Sequence, residues 1–96
     1  MGTKNVMYID YSYSYASGKH RFHIYSNGNC YTFQSKKIED IIKPVVGFIE
    51  GQKSEAIYID NRGYGALLTE ELSKENIAYR IMDIHYWDID HVIIGR

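Results

Sequence analysis

The hydrophobic period of the chain changes at Ser35. Before it, polar and apolar residues follow the two-residue rhythm of strands; beyond it, Ile38, Ile41, Ile42, Val45, Phe48 and Ile49 recur at helical spacing. The first half reads as three strands. Val6-Met7-Tyr8-Ile9-Asp10-Tyr11 is apolar on both alternating faces up to Asp10, as in a central strand covered on both sides. Ser12–Gly18 carries it into a turn. His20–Tyr25 and Cys30–Gln34 then flank Asn27-Gly28, a pair whose tolerance of positive φ suits a type I′ hairpin.

In the second half, Ser35 is the expected N-cap of a first helix, which Gly51 ends. Pro44 interrupts the helix, removing a backbone donor at a cost of about 3 kcal/mol, so a kink or two short helices are expected there. Glu55–Asp60 reads as a buried strand and Asn61–Gly65 as a turn. A second helix runs through Leu67, Leu68, Glu71, Leu72 and Lys74, with Asn76 suited to a left-handed cap. Ile77–Ile84 reads as the last strand, and the apolar tail Val92-Ile93-Ile94 is expected to pack on the body or on a partner. The order βββαβαβ describes one α/β domain over residues 1–96. Right-handed crossovers make the later strands parallel and the hairpin antiparallel, giving a mixed five-stranded sheet.

A 96-residue chain that is 45% hydrophobic can close one modest core but not two. No run approaches the ~20 apolar residues of a membrane span, and the N-terminus has no signal-type apolar segment, so a cytoplasmic protein with no membrane role is expected. A lone cysteine, Cys30, fits a reducing compartment. With 11 basic and 12 acidic residues, no global field attracts a polyanion, so any nucleic-acid contact must be local or metal-mediated. Ten tyrosines suit half-buried strands and binding surfaces alike.

The sharpest chemical signal is a repeated tripeptide. Tyr8-Ile9-Asp10 closes the first predicted strand and Tyr58-Ile59-Asp60 the fourth. If these strands are parallel neighbours, roughly 4.8 Å apart, their carboxylates stand together at the carboxyl ends, where open α/β sheets place ligands. Such a pair can share Mg²⁺ or Mn²⁺, and two such ions about 3.5–4 Å apart can activate water against a phosphodiester. Alternatively the two acids only end strands and begin turns. Asp88 is the third candidate ligand, with Glu39, Asp83 and Asp90 as further acids. His20 and His23, three apart in a strand, point to opposite faces and form no metal motif. His85 and His91 flank Tyr86-Trp87-Asp88, which reads as a packing anchor or a contact for a base or protein. Nucleophilic catalysis has little support, because no serine carries an activating motif and Cys30 falls in the hairpin.

The segment from Asp60-Asn61-Arg62-Gly63-Tyr64-Gly65 through Leu72 resembles the strand-turn-helix of phage terminase large-subunit nuclease domains. Tyr8–Ser14, followed by a strand at Phe22-His23-Ile24, is similar to the first strand of that family and of the wider ribonuclease H-like group. The resemblance covers the element order of most of the chain but only about thirteen residues of motif. It implies a ribonuclease H-like fold in which Asp10 and Asp60 ligate metal. The chain departs from the family in lacking both a phosphate-binding Gly-Lys-Ser/Thr loop and the helical region with the last acidic ligand, so packaging-motor activity is not expected.

Two functions follow. One is a metal-dependent nuclease using Asp10, Asp60 and Asp88 with Mg²⁺ or Mn²⁺ on nucleic acid. The other is a non-catalytic, phage-type regulator or inhibitor that holds a protein partner through its tyrosine-rich surface or C-terminal tail.

Overall fold

In the computed structural model, which describes residues 6–60 and 63–81, the elements follow one another as β1 (Val6–Ser14), β2 (Lys19–Ser26), β3 (Asn29–Ser35), α1 (Glu39–Gln52), β4 (Ala56–Ile59), α2 (Gly65–Lys74) and β5 (Arg80–Ile81). The five strands form one mixed sheet in the order β3-β2-β1-β4-β5. β1 is central, antiparallel to β2 and parallel to β4, and β4 is parallel to β5.

The hairpin forms for the reason its sequence suggests. Asn27 (φ 52°) and Gly28 (φ 79°) both take positive φ, the twist that lets a two-residue I′ turn match its flanking strands. Ser26 faces Asn29 across it, and the ladder continues to His20 opposite Ser35. This pairing retains Ser35 in β3, so Ser35 does not cap α1. Its Oγ instead accepts the Lys37 N–H at 3.2 Å, and α1 begins after Ile38 without a side-chain cap. Glu39 and Asp40 in its first turn complement the helix dipole.

Pro44 does not divide α1, which runs as one helix of 14 residues. The carbonyl deprived of its donor is that of Asp40, and both residues are exposed, so water can satisfy it. Against a cost of about 3 kcal/mol, Ile41, Ile42, Val45, Val46 and Ile49 are buried, each contributing roughly 1.5–3 kcal/mol. The packing outweighs the proline.

Both helices cover the same side of the sheet. Their buried residues, with Leu68 and Leu72 from α2, form one cluster with Met7, Ile9, Phe22, Ile24, Ile57 and Ile59. Strand alternation places Tyr8 and Tyr58 on the opposite side, where they are half-buried and stack at 5.4 Å. Over the length where β1 and β4 pair, Met7, Ile9, Ile57 and Ile59 are buried on the helix side, while Val6, Tyr8, Ala56 and Tyr58 are half-buried on the other. At the end of α2, Asn76 adopts the left-handed conformation (φ 60°). The Ile77 N–H donates to Leu72 O at 2.9 Å and the Asn76 N–H to Ser73 O at 3.1 Å, the paired bonds of a Schellman motif. The last strand starts at Arg80, later than its apolar pattern suggests, because this cap and the residues after it first turn the chain back to the sheet. Its predicted continuation beyond Ile81 and the apolar tail lie outside the described residues. No helix of the described residues is long and apolar enough to cross a membrane.

Candidate functional site

Asp10 and Asp60 are brought together by the parallel ladder. Ile9 lies in register with Ile59, and the Asp60 N–H donates to Ile9 O at 3.0 Å, extending the pairing one residue past β4. With Ile9 and Ile59 in the core, alternation turns both aspartates to the side of the sheet opposite α1 and α2. They are 5% and 3% exposed, and burial this deep is unusual for carboxylates without partners. Each is engaged in a hydrogen-bonding or electrostatic interaction.

One positional expectation is corrected. Asp10 does not close β1, which continues to Ser14 because β2 pairs with it as far as Lys19. Asp10 instead stands where the β4 ladder stops and the β1–β2 ribbon goes on alone.

His23 faces Asp10 across the β1–β2 ladder. Its Nε2 lies 3.2 Å from Ser12 Oγ and its Nδ1 3.2 Å from Thr32 Oγ1. Burial, reinforced by the Arg21 guanidinium, holds its pKa below the usual histidine value of 6.5, which favours the neutral ring. Alternation puts Lys19 and Arg21 on this same side, and Arg21 Nε donates to Gln34 Oε1 at 2.9 Å. Arg80, in register with Tyr58, sets its guanidinium 6.0 Å from the Tyr58 ring centre. Burial, and secondarily the neighbouring Tyr58, raises the Tyr8 hydroxyl pKa, which favours the neutral hydroxyl of Tyr8.

Of the other sequence candidates, Glu39 opens α1 and lines a groove of about 240 Å³ between the helices with Ile42, Lys43, Leu67, Glu70 and Glu71. Among the described residues no three His, Cys, Asp or Glu side chains gather as a metal-binding group. Asp83, Asp88, Asp90, His85, His91 and Trp87 lie outside the described residues.

A second feature escaped sequence reasoning. Tyr11, Tyr13, Tyr15, His20, Gly63 and Tyr64 line an open cleft of about 470 Å³. Tyr11 and Tyr13 share the helix side of the ribbon with His20, whose Nδ1 lies 2.7 Å from the Tyr11 hydroxyl. Tyr64 meets His20 edge-on at 4.9 Å, and Tyr13 meets Tyr15 edge-on at 5.0 Å. Burial, followed by neighbouring tyrosines, raises the Tyr11 pKa. The signal was present in the alternation Tyr11-x-Tyr13-x-Tyr15. The sequence places His20 only on a strand face opposite His23, and its role in the cleft depends on Tyr64 arriving from the β4–α2 turn. Gly63 permits that arrival: it takes φ +56°, and a Cβ there would stand 3.3 Å from the Tyr11 ring.

No protein-family model matches the chain, and a search of the curated proteins finds no relative.

Proposed function

We propose that this chain is a metal-dependent, nuclease-like domain on a ribonuclease H-like scaffold, acting on nucleic-acid phosphodiesters. The observation that carries the reading is the burial of Asp10 and Asp60 side by side at the end of the β1–β4 ladder. The order βββαβαβ, with an antiparallel hairpin on one side of β1 and parallel strands on the other, supports the ribonuclease H-like class.

The donor set fits a hard cation in part. Two carboxylates supply oxygen ligands of the kind Mg²⁺ and Mn²⁺ prefer, leaving the remaining positions to water or substrate. A second ion calls for another acid, the role for which Asp88 is proposed. When bound, such an ion supplies an acidified water and neutralises phosphate charge. The chain's own residues do the rest. Lys19, Arg21 and Arg80 offer positive charge on this side of the sheet to a phosphate backbone. His23, held neutral beside Asp10, can accept a proton by giving up one of its two hydroxyl contacts.

Asp10→Asn and Asp60→Asn test the reading, because they preserve side-chain size and remove one charge. If the pair exists to hold a cation, millimolar Mn²⁺ raises the wild-type melting temperature, and either substitution abolishes both that rise and the cleavage of DNA or RNA. If the acids serve only as hydrogen-bond acceptors, each substitution costs roughly 0.5–2 kcal/mol and the wild type is indifferent to metal. That second outcome refutes the nuclease reading. It would favour a protein-binding module using the aromatic cleft, where Tyr15 is 92% exposed and Tyr64 48%, as hydrophobic and hydrogen-bonding anchors for a partner.

A further inference from the structure

The outer edge of β3 has features that natural edges usually avoid. Its seven residues, Asn-Cys-Tyr-Thr-Phe-Gln-Ser, contain no charge and no proline, the common devices against edge-to-edge pairing. Cys30, Tyr31, Thr32 and Gln34 are all exposed, and among the described residues no strand pairs with its outer side.

The hairpin determines which backbone groups face outward. In a two-residue turn the flanking residues, Ser26 and Asn29, exchange hydrogen bonds, and bonding then alternates along the ladder. Tyr31 and Phe33 therefore bond inward, opposite Ile24 and Phe22. Cys30, Thr32 and Gln34 direct their N–H and C=O groups outward.

We infer that β3 pairs antiparallel with β3 of a second copy of this chain, across a two-fold axis at Thr32, to make a continuous ten-stranded sheet. A two-fold antiparallel pairing must bring outward-bonding residues opposite one another. Within Asn29–Ser35, only a centre at Thr32 does this while overlapping the whole strand. In that register Thr32 faces Thr32 and Cys30 faces Gln34, while Tyr31 faces Phe33 on the helix side. Threonine pairs and aromatic pairs are favourable cross-strand partners, and no like charges meet. Tyr31 and Phe33 already contact Phe48 at ring distances of 4.8 and 5.5 Å, so the aromatic clusters of the two copies join across the axis. The occupant is a second copy because the edge complements itself in side-chain order and in hydrogen-bonding parity together.

The parity also supplies a selective test. Thr32→Pro deletes an outward donor but no backbone bond of the β2–β3 ladder, and edge strands tolerate proline in such positions; like the lysine variant, it also removes the Thr32 Oγ1 contact with His23 Nδ1. Thr32→Lys retains the donor and sets two like charges face to face. Sedimentation from micromolar to millimolar concentration is expected to give twice the monomer mass for the wild type and the monomer mass for both variants, with their circular dichroism unchanged. In the wild type, the Cys30, Thr32 and Gln34 amides are expected to exchange slowly with solvent at high concentration and faster on dilution. A monomeric wild type at millimolar concentration overturns the inference, as does a dimer that survives Thr32→Lys. Should Thr32→Pro fail to fold, Thr32→Lys and the wild-type exchange decide the matter: concentration-independent exchange at those three amides also overturns it.

Discussion

Replacing Gly65 by alanine tests how α2 is seated against the carboxylate site. Gly65 is the first residue of α2, and a Cβ there would overlap the Asp60 carbonyl oxygen while standing 3.3 Å from its carbonyl carbon and 3.9 Å from Tyr11 Cβ. The obstacle is backbone, which cannot rotate aside as a flexible side chain would. Helix propensity works the other way, favouring alanine over glycine by up to about 1 kcal/mol. Overpacking of this kind costs roughly 1–3 kcal/mol and more where backbone must move, so a net destabilisation of about 1–3 kcal/mol is expected. For a domain of this size that lowers the melting temperature by about 5–20 °C. Relief requires Asp60 to withdraw from its bond to Ile9, so the Asp60 amide should also exchange faster with solvent. Gly47→Ala is the internal control, since Gly47 is exposed in α1 with nothing within 4 Å of an added Cβ. There the same substitution is expected to stabilise by up to about 1 kcal/mol. Thermal melts of the two variants should move in opposite directions. A Gly65→Ala protein as stable as the wild type would refute the idea that a bare glycine is needed for α2 to close on Asp60.

Two further outcomes follow from local conformation and charge. Because the folded-state pKa of His23 is depressed below 6.5, folded and unfolded states are equally neutral above that pH, and the unfolded chain takes the proton first as pH falls. Stability should therefore decline from about pH 6.5 downward until the folded-state pKa is passed, and urea melts at pH 8 and pH 5 should differ less for His23→Gln than for the wild type. Gly28→Ala meets no neighbour within 4 Å but must adopt φ +79°, so denaturant melts should register only the backbone cost, about 1–2 kcal/mol. A larger loss would mean that the turn contributes packing as well as twist.

The element types were legible before any coordinates because they rest on local chemistry. Asn27-Gly28 tolerates positive φ wherever it occurs, Asn76 tolerates the left-handed cap, and the spacing of Ile41, Ile42, Val45 and Ile49 presents one apolar stripe to whatever lies beneath it. The repeated Tyr-Ile-Asp tripeptide marked Asp10 and Asp60 as a pair on condition that their strands were parallel neighbours, and the β1–β4 register meets that condition. Limits of elements were less accessible. β1 runs past Asp10 and β3 includes Ser35 because each is paired with β2, and pairing length is a property of two strands rather than one. Pro44 stays within a continuous helix because the burial of five neighbouring side chains exceeds its cost, a sum that exists only once α1 lies on the sheet. The aromatic cleft belongs mainly to tertiary structure, since the Tyr11-x-Tyr13-x-Tyr15 alternation marks only one of its walls. Tyr11 and Tyr13 come from β1, His20 from β2 and Tyr64 from the turn before α2, and they meet only because Gly63 and Gly65 let that turn close against Tyr11 and Asp60. Residues distant in sequence carry no mark of their eventual neighbours, so a site assembled from three segments becomes visible only when long-range packing has brought them together.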